Sequence, residues 1–236
     1  MDGKFNLDRY LTEGVESIVS DAMKAALKNP KETAFLLQYA AFARRAANRR
    51  AQHAQSGRHV PSFLIASITN RCNLHCAGCY ARANHLCNDS GGDGLLTDGQ
   101  WDDLFGQAGD IGVSFVLLAG GEPMLRRGVL ECAAAHQDIL FPVFTNGTVL
   151  DGTLVELLDR HRNLVPIVSI EGGEAQTDAR RGNGTYAALH ESMRALKRRG
   201  IFFGASITLT TANLKTVTDD GFLGELGEYG CKIAFY

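Results

Sequence analysis

The sequence predicts an α/β fold, a partial (β/α)6 barrel of the TIM type preceded by an N-terminal helical pair. Three observations carry the prediction. From Ser62 onward, six short apolar runs rich in β-branched and aromatic residues alternate with stretches of helical character, the order that yields a parallel sheet. The runs are apolar throughout more than strictly alternating, as strands are when helices cover the sheet. No G-x-G-x-x-G fingerprint follows the first run, which separates the chain from the dinucleotide-binding folds. A group of cysteines follows it instead.

Taken in order, residues 7–28 place Val15, Ile18, Val19, Met23, Ala26 and Leu27 on one helical face. Asn29-Pro30-Lys31-Glu32 then supplies an N-cap, an N1 proline and a capping-box glutamate for a second helix that runs to about Gln55. Near its C-terminal end stand Arg44, Arg45, Arg49 and Arg50, a run that suits the negative end of the helix dipole, with an anionic partner as the alternative. Residues 56–61 read as a linker, so the expected division is an N-terminal helical segment over 1–61 and a core over 62–236. The expected strands cover 63–68, 115–118, 142–144, 164–170, 203–209 and 231–235. Between them lie a helix opened by the Thr97-x-x-Gln100 capping box and others over 126–136, 153–160 and 186–198. The sequence stops on its sixth strand with no helix to cover it, and the expectation is a core truncated at its C-terminal end.

A chain of 236 residues buries one full-sized core. At 45% hydrophobic and 21% charged it is neither disordered nor fibrous in composition. A net charge of -2 supplies no global attraction to nucleic acid or to an anionic membrane face, and neither partner is expected. No apolar run approaches the roughly 20 residues of a spanning helix. The first residues, with Asp2, Asp8, Glu13 and Glu16, lack a secretory signal, so the expected location is cytoplasmic. Of six cysteines, three crowd into positions 72–79, a poor disulfide framework and a good metal loop. Cys132 and Cys231, alone in apolar context, read as small buried hydrophobes.

Cys72, Cys76 and Cys79 form a C-x3-C-x2-C loop directly after the first strand, at the strand end where β/α barrels build their active sites. Three clustered thiolates can grip an iron-sulfur cluster with one open coordination position, whereas a closed structural zinc site needs four ligands. Cys87 could be that fourth ligand, which keeps zinc as an alternative. After the second strand, Ala119-Gly120-Gly121-Glu122-Pro123 offers glycine backbone that a ligand can approach and a glutamate that can pair with an ammonium; a plain glycine-rich turn is the bland alternative. Thr145-Asn146-Gly147 after the third strand is a favourable turn. Ser169-Ile170-Glu171-Gly172 ends the fourth strand and is followed by Asp178-Ala179-Arg180-Arg181-Gly182-Asn183-Gly184-Thr185-Tyr186. An arginine fork there suits a carboxylate bidentately, with a surface ion pair as the alternative and Arg180 as the rival of Arg181. Asn213 ends the fifth strand. His75 and His85, close to the cysteines, read as surface histidines.

Together these segments resemble the radical S-adenosylmethionine (radical SAM) superfamily, and the fourth-strand pattern is similar to the branch holding sulfatase-maturing and peptide-modifying enzymes. The resemblance implies a [4Fe-4S] cluster on Cys72, Cys76 and Cys79. It further implies an S-adenosylmethionine (SAM) pocket drawn from Gly120, Gly121, Glu122, Pro123, Asn146, Ser169, Arg181 and Asn213, with Glu122 near the amino group, Ser169 at the ribose and Arg181 at the carboxylate. An oxygen-sensitive enzyme is implied, fed electrons by a ferredoxin or flavodoxin-type donor, that abstracts hydrogen from a peptide, protein or natural product, or alternatively from a small metabolite or lipid. The rival of another class is a non-enzymatic iron-sulfur or zinc binding module. Two positions depart from the family pattern: Gly78 precedes the third cysteine where an aromatic residue is common, with Tyr80 just after, and Glu171 stands where aspartate is commoner.

Overall fold

The computed structural model describes residues 30–90 and 94–236, so the helix expected over 7–28 lies outside the described residues. Strands β1 (Phe63–Thr69), β2 (Phe115–Gly120), β3 (Phe141–Thr145), β4 (Leu164–Ser169), β5 (Gly204–Ser206) and β6 (Ile233–Phe235) form one sheet in sequential order. Every neighbouring pair is parallel, which makes a barrel wall with β1 and β6 at its edges. The partial-barrel expectation is borne out. Helices α1 (Pro30–Gln55), α2 (Tyr80–Ala83), α3 (Asp98–Ile111), α4 (Arg127–Ala135), α5 (Gly152–Arg160), α6 (Glu174–Arg181), α7 (Thr185–Arg198), α8 (Leu214–Val217) and α9 (Asp220–Glu228) precede the sheet or fill its crossovers.

The strands β2 to β4 are apolar on both faces because both faces are covered, whereas Leu64 and Ile65 of the edge strand β1 are exposed. Ile68, Leu118, Val143, Val168 and Ala205 are buried in one core with Leu130, Leu158, Leu189 and Leu196 of the crossover helices. Phe115, Val165 and Ile167 belong to a second core, to which α1 contributes Phe35, Leu36 and Tyr39. Phe115 and Val165 lie at the beginnings of β2 and β4, so α1 stops the N-terminal mouth of the barrel and leaves the opposite mouth to the loops.

Polar groups fix α1 there. Tyr39 Oη donates to Ser114 O at 2.9 Å, and burial pushes its phenol up to about 12. The Glu32 carboxylate, 4% exposed, pairs with Arg162 and accepts from Phe202 N at 3.2 Å. Arg162 also donates to Gly200 O at 2.9 Å. Within the arginine run, Arg49 Nη1 and Arg50 Nη1 donate to Gly109 O (2.7 Å) and Gly112 O (2.5 Å). Those carbonyls end α3, so the cations meet the negative end of a neighbouring helix as well as their own.

The capping box on α3 is present in both directions, with Gln100 N on Thr97 Oγ1 (3.2 Å) and Thr97 N on Gln100 Oε1 (2.8 Å). β5 and β6 are shorter than expected. Thr208 N turns aside to Glu171 Oε2 (3.2 Å), and Cys231 N closes onto Leu226 O at 2.9 Å before β6 starts. No helix among the described residues is long and apolar enough to cross a membrane.

Candidate functional site

The C-terminal ends of β1 to β5 share one mouth, and each carries a segment singled out above. The chain leaves β1 through Thr69-Asn70-Arg71 into the cysteine loop. The end of β2 lies directly against it, with Gly121 N donating to Thr69 O and Glu122 N to Arg71 O, both at 2.8 Å. A Cβ on Gly120 would stand 2.2 Å from Thr69 O, and one on Gly121 would stand 2.2 Å from Arg71 O. The two glycines are therefore required by the approach of one backbone to another. Gly120 also holds φ +129°, where a side chain is strained.

Glu122 is 1% exposed, and its carboxylate is held within the protein. Oε1 accepts from Met124 N (2.9 Å) and Thr145 Oγ1 (2.7 Å), and Oε2 accepts from Asn146 N (2.7 Å). Burial pushes its carboxyl up in pKa, against those three donors and the charge of Arg181. Pro123 is buried at the start of a 3-10 turn, Pro123–Leu125. The Asn146 side chain bridges to the cysteine loop: Nδ2 donates to Asn73 Oδ1 at 2.9 Å, while Oδ1 accepts from Thr148 N and Thr148 Oγ1. Asn73 in turn donates to Thr148 Oγ1 at 2.8 Å.

The end of β4 holds a buried charge cluster. Glu171, 1% exposed, accepts from Arg181 Nη2 at 2.5 Å and from Thr208 N at 3.2 Å. Arg180 Nε lies 3.2 Å from the same carboxylate but without hydrogen-bond alignment, and both Arg180 Nε and Arg181 Nε are buried with no hydrogen-bond partner. Two guanidinium groups thus share one carboxylate, which leaves an excess of positive charge suited to an anion. Arg181 Nη1 stands 3.9 Å from Cys76 Sγ, and Ala77 N donates to Arg180 O at 2.7 Å, so α6 is joined to the cysteine loop at two points. Ser169, half-buried at the last position of β4, pairs in register with Ser206. Asn213 is 3% exposed and its amide is fully engaged. Oδ1 accepts from Thr210 N, and Nδ2 donates to Glu171 O and Thr208 O.

Cys72, Cys76 and Cys79 are all half-buried on their loop. Burial pushes the Cys72 thiol up, and a hydrogen bond from the Leu74 amide pulls the other way. Among the described residues no three His, Cys, Asp or Glu side chains are gathered tightly enough to hold one metal ion. The two readings of the loop differ in the geometry they require. A tetrahedral zinc site draws its thiolates to about 3.7 Å from one another around one atom. A cubane cluster instead gives each thiolate its own iron and spreads them around the cube. The donor chemistry, three thiols in eight positions with a half-buried pair of arginines beside them, fits the cluster.

The structure therefore gathers the cysteine loop and the segments after β2, β3 and β4 at one mouth. It differs in where the side chains are committed, since Glu122, Asn146 and Asn213 tie strand ends and loops together. Sequence reasoning passed over Asn73, Arg82 and Asp89, none of which sits in an apolar pattern or a recognisable spacing. It noted Glu171 only as a substitution, although its position directly after β4 placed a carboxylate where the arginines converge.

A model of the radical SAM superfamily matches residues 66–224. The chain is 32% identical over 168 residues to pre-heme d1 synthase of Dinoroseobacter shibae, covering 67% of this chain and 41% of that one. It is 27% identical over 164 residues to the sporulation killing factor maturation protein SkfB of Bacillus subtilis, covering 68% and 39%. The fold is similar to Streptococcus suis SuiB bound to precursor peptide SuiA, with TM-score 0.62, 17% identity, and coverage of 82% of this chain and 44% of that one. The chain spans about two fifths of the length of the two curated relatives.

Proposed function

The chain belongs to the radical SAM superfamily, and from that premise we propose that it is an enzyme holding a [4Fe-4S] cluster on Cys72, Cys76 and Cys79 and binding SAM beside it. When bound, that pair supplies reductive cleavage of SAM to a 5'-deoxyadenosyl radical that removes hydrogen from substrate. The observation that carries the reading is Arg181. Its guanidinium lies beside Cys76, is anchored by Glu171, and keeps a buried Nε without a partner. A carboxylate arriving between the cysteine loop and α6 would meet that group, and the methionine portion of SAM has one. Ser169, at the adjacent strand end, is positioned for a ribose hydroxyl. Gly120, Gly121 and Pro123 shape the wall opposite. Glu122 and Asn146 hold that wall in place, and Asn213 ties the ends of β4 and β5 through Glu171 O and Thr208 O, so their part in SAM binding is to fix the loops. A ferredoxin or flavodoxin-type protein supplies the electron in this reading.

Two substrate classes have support. Similarity to SkfB, a maturation protein, and the fold shared with SuiB in complex with its precursor peptide favour a peptide or protein. Similarity to pre-heme d1 synthase favours a small cofactor-like molecule as the second reading.

The test of the pocket is a pair of variants. Arg181→Ala, in anaerobically reconstituted protein, is expected to weaken SAM binding by roughly tenfold to a hundredfold, the range for a lost charge-assisted hydrogen bond. Iron content should not change. Arg180→Ala, whose side chain is 22% exposed and poorly aligned on Glu171, is expected to lose much less. Equilibrium dialysis with labelled SAM distinguishes them, and equal losses in both variants would remove the assignment of Arg181.

A further inference from the structure

One side chain outside every motif holds the cysteine loop. Arg82, on the short helix α2, reaches back to donate Nε to Leu74 O at 2.9 Å and Nη2 to Cys72 O at 3.1 Å. The two carbonyls flank Asn73 in the first turn of the loop. The same guanidinium is anchored by Asp89 Oδ1 at 2.7 Å, and Asp89 also meets His75 Nε2 at 3.0 Å. Backbone bonds bring these parts together: Cys72 N donates to Asn88 O (2.9 Å) and Asn88 N to Asn70 O (2.8 Å), so the segment bearing Asp89 lies alongside the entry to the loop.

This arrangement does more than close a turn. With the carbonyls of Cys72 and Leu74 both drawn to Arg82, the turn that carries the Cys72 sulfur is fixed from outside the loop. Hydrogen bonds to ligating sulfurs and nearby charge are principal determinants of a cluster's reduction potential. A cation 20% exposed, fixed at three acceptors beside one of the three cysteines, supplies the nearby charge and holds the turn that carries that sulfur.

The geometry points to Arg82, anchored by Asp89, as a positioning residue that sets how tightly the cysteine loop holds its cluster and at what potential that cluster is reduced. This rests on the reading that Cys72, Cys76 and Cys79 carry the cluster.

The test uses the full chain reconstituted anaerobically with ferrous iron and sulfide, and compares wild type with Arg82→Met, Arg82→Lys and Asp89→Asn. Arg82→Met is expected to lose its iron to a competing chelator roughly tenfold faster or more, the range for partners of metal ligands. Its residual cluster, followed by electron paramagnetic resonance in a redox titration, should be reduced at a more negative potential. Arg82→Lys restores part of both. Asp89→Asn, a change at a side chain 66% exposed, leaves the fold intact and loosens the anchor of Arg82, so it loses iron to the chelator faster than wild type and slower than Arg82→Met. Wild-type protein that takes up no iron defeats the cluster reading itself. If wild type binds iron and either Arg82→Met or Asp89→Asn matches its potential and chelator resistance, Arg82 is a structural brace only and the proposal is wrong. An Arg82→Met chain that fails to melt cooperatively leaves the decision to Asp89→Asn.

Discussion

Single replacement of Cys72, Cys76 or Cys79 by alanine is expected to abolish assembly of the cluster, which in wild type should hold about four irons and four sulfides. A cubane held by three thiolates loses the anchor of one of its protein-bound irons with each cysteine. Cys132→Ala should leave iron content unchanged: its thiol faces Asp98 O at 3.5 Å on the far side of β2. Cys231→Ala should do the same, because that thiol donates to Ile233 O at 3.2 Å and burial pushes it up to about 11. Cys87→Ala separates the cluster from a four-thiolate zinc site. Cys87 is 7% exposed and its thiol is near that of Cys79, so the zinc reading requires it and the cluster reading does not. Iron and sulfide assays after anaerobic reconstitution decide the matter, and metal lost with Cys87 but retained without Cys76 would overturn the ligand assignment.

The second large effect lies at the opposite mouth. Glu32→Ala should destabilise the protein by about 3 kcal/mol, because removing one partner of a buried pair leaves the other charge uncompensated. Arg162 keeps Asp159, which holds the loss at the lower end of that range. Phe202 N loses its acceptor as well. For a chain of this length the melting temperature should fall by roughly 6–12 °C. Burial raises the Glu32 carboxyl in pKa despite the charge of Arg162. The ionised pair is therefore no bargain against an apolar one, and Glu32→Leu combined with Arg162→Met should recover most of the loss. Sign follows from the same shift: a carboxyl raised in the folded state contributes stability below its unfolded pKa and loses it as pH rises through the folded value. A Glu32→Ala melt equal to wild type would mean that α1 is a loosely attached segment and not the stopper of the barrel.

These two ends of the molecule were not equally legible. The strand order and the helices over 126–136, 153–160 and 186–198 follow from apolar runs and caps, since burial on both faces writes itself into composition. Helix α6 escaped notice because its eight residues bury only Thr177 and carry no apolar stripe. What places it is the pair of bonds that the Asp178 carboxylate accepts from Gly184 N (2.7 Å) and Tyr186 N (2.8 Å), a pattern visible only once the chain is folded. Glu32 looked like a capping residue, and Arg162 lay 130 positions away, beyond any local signal. At the C-terminal mouth, spacing singled out the cysteines and the glycines but could not say that Gly120 and Gly121 serve a backbone crossing, or that Glu122 and Asn213 already accept or donate several hydrogen bonds within the protein. Sequence motifs report which residues stand near a site. Hydrogen-bond partners decide which of them remain available to a ligand.

Release of 5'-deoxyadenosine tests the central claim most directly. Reconstituted protein, reduced with dithionite under anaerobic conditions, should convert SAM to 5'-deoxyadenosine and methionine, slowly and without added substrate, because uncoupled cleavage needs only cluster, electron and SAM. Loss of that product in Cys76→Ala and its strong reduction at limiting SAM in Arg181→Ala, with iron retained in the latter, is the predicted result. Protein that carries its cluster and melts cooperatively, yet binds no SAM at millimolar concentration and releases no 5'-deoxyadenosine, would contradict the account and identify the chain as an iron-sulfur binding module.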